Sequence, residues 1–126
     1  MTEAMSRVLV IDDEEPIRRT LRLLLQRAGH EVVLAASGEE GLRCCRESAP
    51  DLVMTDIHLP GLDGIEVTLA LRTLAPAVPV IVMSGGERTK RLDLLPTALQ
   101  LGAVRVLRKP FTTREVLDAV GAVLGR

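Results

Sequence analysis

Tryptophan and tyrosine are absent from this 126-residue chain, and Phe111 is its only aromatic side chain. Stacking platforms of the kind that hold single-stranded nucleic acid are therefore missing. A surplus of one charge is missing too: sixteen Lys and Arg stand against seventeen Asp and Glu, a formal net charge of -1. Phosphate-backbone binding usually shows as a basic excess on one face, so no direct nucleic-acid contact is expected. Cysteine is scarce, and Cys44 and Cys45 are adjacent within a helical pattern. Adjacent positions make neither a disulfide framework nor a spaced metal motif, and both read as reduced packing thiols. No apolar run exceeds strand length, and the opening MTEAMSR lacks the apolar core of a signal peptide. A cytoplasmic protein with no membrane contact is expected.

What is present is ordinary for a globular domain: 47% hydrophobic and 26% charged residues in a length near the commonest domain size. One domain over residues 1–126 is expected, large enough to fold without disulfides or a structural metal. Apolar stretches of strand length alternate with helical patterns five times. That rhythm argues an α/β fold with a five-stranded parallel sheet, doubly wound by five helices.

The strands are read at Arg7–Ile11, Glu31–Ala35, Asp51–Asp56, Val78–Ser84 and Val104–Lys109. Pro16 suits the first turn of the first helix and Gly29 its stop, with a buried stripe at Ile17, Leu21, Leu24, Leu25 and Ala28. Ser37 with Glu40, and Thr112 with Glu115, stand at capping-box spacing. Asp63 reads as a cap of a third helix near Ile65 to Leu74. Pro96 places the start of the fourth regular helix near Leu95. His30, after the helix-stopping Gly29, reads as a surface residue.

Polar residues gather at the carboxyl ends of the strands, the ligand-binding edge of open α/β sheets. Asp12 and Asp13 follow the first strand, Asp56 ends the third, Ser84 the fourth and Lys109 the fifth. Taken alone, an acidic pair after a strand is as readily explained by a helix N-terminus that favours negative charge. Asp56, Ser84 and Lys109 tip the balance. If the first and third strands are neighbours, three carboxylates converge and repel unless a cation lies among them. Hard oxygen ligands suit Mg²⁺ better than zinc. A lysine ending an apolar strand is costly to place unless it meets charge, here Asp56 or a phosphoryl group on it. The Ser84 hydroxyl is placed to donate to that group, and Gly85 leaves room for the backbone to approach.

The segments VLVIDDE, PDLVMTDIHLPGLDG and VLRKPF closely resemble the motifs of bacterial response regulator receiver domains, and the resemblance covers essentially the whole chain. It implies a flavodoxin-like strand order of 2-1-3-4-5, Asp56 as phosphoacceptor, and Ser84 and Lys109 as its catalytic partners. It further implies Mg²⁺ bound by Asp12, Asp13, Asp56 and the His58 backbone carbonyl, and a cis peptide before Pro110. The implied donor is a sensor histidine kinase or phosphotransfer protein.

Three departures from the family pattern stand out. Val106 occupies a place where receivers often carry an aromatic that moves inward on activation. His58 lies where members tune phosphoryl lifetime, and the second tuning place is Gly86, which has no side chain to shield water. The stretch Gly85–Leu94 is longer than in chemotaxis-type receivers and is expected to be a mobile basic loop through Arg88, Lys90 and Arg91. Competing functions are weaker fits. An aspartyl phosphohydrolase would use a D-x-D pattern after the first strand, a degenerate receiver would have lost site residues, and a nucleotide or flavin site would need a glycine-rich loop where DDEEP stands.

Overall fold

The computed structural model describes residues 5–85 and 95–125. Gly86, Arg88, Lys90 and Arg91, and with them most of the expected loop, lie outside those residues. Five parallel strands, β1 (Arg7–Ile11), β2 (Glu31–Ala35), β3 (Leu52–Asp56), β4 (Val80–Ser84) and β5 (Arg105–Arg108), pair in the order β2-β1-β3-β4-β5. Five helices connect and follow them: α1 (Glu15–Arg27), α2 (Gly38–Glu47), α3 (Gly64–Leu74), α4 (Leu95–Gln100) and α5 (Thr113–Leu124).

Side chains alternate across each strand, so the central strands feed two cores. Val8, Val10, Leu52, Met54, Ile81 and Met83 face one way, toward Leu21 and Leu25 of α1 and Val116 and Val120 of α5. Leu9, Ile11, Val53, Val80 and Val82 face the other, toward Leu42 of α2, Val67 and Leu71 of α3 and Ala98 of α4. Val106 is partly buried against this second core, whereas Phe111 packs against the first. Apolar burial on both faces is what fixes the register, because a one-residue slip would turn every side chain to the wrong face.

The helix starts follow their caps. Ser37 accepts from the Glu40 amide at 3.1 Å, but the Glu40 carboxylate reaches one residue further back than a capping box requires, to the Ala36 amide at 2.7 Å. Asp63 with Glu66, and Thr112 with Glu115, form complete capping boxes. The fourth strand begins two residues later than its apolar run, because the Val78 amide closes a turn on Ala75 (3.0 Å) instead of joining the ladder. Two expectations at the end of α1 need correction. Ala28 is exposed, being the residue that caps the helix rather than part of its last turn, and His30 is buried. The positive φ of Gly29 (96°) folds the chain back so that the His30 amide bonds Leu25 at 3.1 Å, which carries the residue inward. Cys45 is buried and Cys44 partly so, and burial pushes the Cys45 thiol up to about 11.

Glycine at the start of α3 is a steric requirement. A Cβ on Gly64 would collide with the Asp56 carbonyl oxygen and come within 2.6 Å of the Ile57 Cα. Both obstacles are backbone, so neither can swing aside. Gly64→Ala is expected to cost about 1–3 kcal/mol of stability as overpacking, read as a lower urea midpoint at an unchanged m-value. An unchanged midpoint would mean that the β3–α3 connection yields.

Candidate functional site

Register delivers the acids to one place. Ile11 pairs with Thr55, so the residue after β1, Asp12, emerges beside Asp56 at the end of β3. Asp12 is fully buried, Asp56 nearly so and Asp13 exposed, and one carboxylate oxygen from each lies within 4.8 Å of the others. Asp12 is held from both directions: its amide donates to Ala35 (3.1 Å), and its carboxylate accepts the Glu14 amide at 2.9 Å. That second bond satisfies the N–H of Glu14, the N-cap of α1, whose own side chain makes no cap hydrogen bond.

The Asp56 peptide is equally constrained. The Thr55 hydroxyl donates to the Asp56 carbonyl at 3.0 Å, the Ile57 amide to Met83 at 2.8 Å, and the Gly64 amide to Ile57 at 3.0 Å. These bonds close the turn that carries His58, whose side chain is exposed.

Lys109 enters from the end of β5, its amide bonded to the Ser84 carbonyl at 2.7 Å. Its Nζ lies 2.9 Å from Asp12 Oδ2, 3.5 Å from Asp56 Oδ2 and 3.6 Å from Glu14 Oε1. The sequence pointed to Asp56 as its partner; the nearest carboxylate is Asp12. Burial works against the ammonium, but the Asp12 hydrogen bond and the charges of Asp12, Asp56 and Glu14 outweigh it and raise the Lys109 pKa above the ordinary lysine value. Asp56 sits on the other side of this balance. Burial, opposed by Lys109 and reinforced by Asp12 and Asp13, pushes its carboxyl up to about 6.

Ser84 is buried at the end of β4, next to the Asp56–Met83 pair in the ladder. A Cβ on Gly85 would meet only the Lys109 side chain, at 3.7 Å, an ordinary contact. Lys109–Pro110 is cis.

Two contributors carry no mark in the sequence. Arg18 of α1 donates to the Asp12 carbonyl at 2.8 Å, and Glu14 is the third carboxylate on Lys109. The spacing from Asp12 to Arg18 carries no signal until the turn between β1 and α1 is known. Glu14 is visible in DDEEP, but nothing there singles it out from Glu15.

The donor set fits a hard divalent cation. Three carboxylates converge, and Asp56 Oδ1 is buried without a hydrogen-bond partner among the described residues. A carboxylate with one oxygen left unpartnered, close to two further acids, is the arrangement that a small oxygen-seeking ion relieves.

Residues 8–121 match the response regulator receiver domain family. The chain is 39% identical over 120 residues to the alkaline phosphatase synthesis transcriptional regulatory protein PhoP of Bacillus subtilis, covering 95% of this chain and 49% of that protein. It is 34% identical over 115 residues to sporulation initiation phosphotransferase F of the same organism, covering 90% of each. A crystal structure of a response regulator receiver domain protein from Clostridium thermocellum matches with a TM-score of 0.87 and 32% identity, over 97% of this chain and 96% of that one. The chain spans about half the length of PhoP and of other transcriptional regulators it matches. A match over most of the chain, on a sheet of the same fold, shows that this chain belongs to the response regulator receiver domains of two-component systems, which take up a phosphoryl group.

Proposed function

We propose that Asp56 is the phosphoacceptor and that Asp12, Asp13, Asp56 and the His58 backbone carbonyl hold Mg²⁺. The observation that carries this reading is the buried, partnerless Asp56 Oδ1 beside two acids and a lysine. The donor is a phosphohistidine on a sensor histidine kinase or phosphotransfer protein, and the modified surface then changes its partner. An Asp56 oxygen attacks phosphorus, the new O–P bond forms as the P–N bond breaks, and the histidine leaves with its electron pair and takes up a proton. When bound, the cation supplies charge against the phosphoryl oxygens.

This chain's own groups do the rest. Lys109 already spans Asp12 and Asp56, so it is preorganised to meet the transferred oxygens, and the Ser84 hydroxyl donates to one of them. Fixing the Asp56 peptide through Thr55 and Gly64 limits how far the nucleophile strays from the line of attack. The exposed His58 ring, two residues after Asp56, tunes the lifetime of the acyl phosphate by blocking or orienting water. The role is that of a signal-receiving domain in the cytoplasm rather than a phosphatase of small substrates. Because relatives are named transcriptional regulators, the output is passed to a DNA-binding partner, attached or separate. The chain's formal charge of -1 carries no basic excess of the kind that phosphate-backbone binding uses.

With a small phosphodonor and Mg²⁺, intact mass should rise by one phosphoryl group in the wild type and not in Asp56→Asn. No gain, or equal gain in both, would defeat the assignment. Lys109→Met should slow that gain about 100-fold, the usual loss for one transition-state donor, and an unchanged rate would remove Lys109 from the chemistry.

The raised Asp56 pKa carries a sign. Its folded value of about 6 lies above the ordinary carboxyl value of 3.8, so the folded state disfavours the charged form. Well below pH 3.8 both states are protonated and there is no penalty; the penalty grows as the unfolded carboxyl ionises from about pH 3.8 and is full above about 6. Metal-free Asp56→Asn should therefore be more stable than wild type by about 1–2 kcal/mol at pH 7.5, with the gap closing toward about pH 3. Millimolar Mg²⁺ should stabilise the wild type and close the gap at pH 7.5. A gap independent of pH would contradict this account of the carboxyl.

A further inference from the structure

Val106 raises a question that the site alone does not answer: how a change at Asp56 reaches the distant face of the sheet without an aromatic on β5. Phe111, the only aromatic, packs against the opposite core from Val106. A second connection runs through α3. Its first residue, Gly64, sits against the Asp56 carbonyl and the Ile57 Cα with no space for a side chain, and its amide bonds Ile57 at 3.0 Å. The Thr68 hydroxyl, also buried, donates to the Gly64 carbonyl at 2.8 Å and ties the first turn to the second. Movement of the Asp56–Ile57 backbone is thus a movement of the α3 N-terminus.

At the other end of α3, Arg72 reaches across to the end of α4. Its Nη1 donates to the Leu101 carbonyl at 3.0 Å, and its Cδ would lie 3.2 Å from a Cβ on Gly102. Gly102 adopts a φ of 126°, so it both turns the chain after α4 and opens the notch in which the arginine stem lies. The guanidinium satisfies one of the carbonyls that a helix end leaves without an intrahelical partner, and it places positive charge at the negative end of the helix. This matters because α4 is weakly held. Among the described residues it spans six, and of their described side chains only Ala98 is buried. So short a helix is marginal by itself, and its position is open to bias by one tether.

We propose that α3 relays the state of the Asp56 site to the C-terminal end of α4, with Arg72 as the coupling residue. The relay rests on Asp56 being the phosphoacceptor. It replaces a swinging aromatic with a rigid helix, jammed against the acceptor's peptide at one end and hydrogen-bonded to a marginal helix at the other. Coupling of this kind is a free energy between two places and is measurable as such.

The test compares wild type with Arg72→Ala and Arg72→Lys, each with Mg²⁺, before and after beryllofluoride, which mimics the acyl phosphate. Amide NMR shifts are followed at Ile57 and Gly64 and at Leu101 to Val104. In the wild type both groups should respond. In Arg72→Ala the response of Leu101 to Val104 should fall at least about fivefold, the lower end of ordinary coupling, while Ile57 and Gly64 respond as before. Arg72→Lys, which keeps charge but loses the planar fork, should fall between. Silence at Ile57 and Gly64 in the wild type would overturn the acceptor assignment itself. A wild-type response confined to Ile57 and Gly64, or an undiminished response at Leu101 to Val104 in Arg72→Ala, would overturn the relay.

Discussion

Crowding of like charge organises this molecule. Asp12, Asp13 and Asp56 bring carboxylate oxygens within 4.8 Å of one another at the end of an apolar sheet, a repulsion that no fold tolerates without compensation. Lys109 supplies part of it, and it does so unevenly, bonding Asp12 at 2.9 Å and standing 3.5 Å from Asp56. The consequence is a division of labour among acids that look alike. Asp12 is bonded and charge-paired, whereas Asp56 keeps one oxygen unpartnered and a raised pKa. The chain has left one carboxylate in a state that a nearby positive charge would relieve.

The rest of the fold makes that tension tolerable. Two apolar cores, one on each face, hold the strands in a register that leaves no freedom to separate the acids. An amide that would otherwise be orphaned at the start of α1 is turned toward Asp12, so the helix gains a cap from the same residue that the site needs fixed. Glycine at the start of α3 lets a helix press against the Asp56 carbonyl. Stability and function draw on the same contacts at these points, which is why the site tolerates so much unfavourable charge.

Most of this is legible in the sequence where a residue type has one physical use. The β1 and β2 bounds, the Thr112 and Asp63 caps, and the five polar positions at the strand ends come from period, cap chemistry and the ligand-binding edge of parallel sheets. The illegible part depends on distances of an ångström or on contacts between elements. Whether Lys109 prefers Asp12 or Asp56 is decided by a difference of 0.6 Å, from 2.9 to 3.5 Å, and no spacing encodes that. Arg18 and Arg72 look like surface cations until the carbonyls they meet are known. His30 is buried against expectation because Gly29 does more than stop a helix: its positive φ also reverses the chain and carries the next residue inward.

The buried thiol of Cys45 has a bearing on signalling fidelity. Oxidants and electrophiles react with thiolate, not thiol. With burial pushing its pKa up to about 11, Cys45 stays in the thiol form at neutral pH. A receiver has to change state in response to one input. Packing this sulfur in the core holds it in its slowly reacting form and so makes a second, chemical input at that position slow.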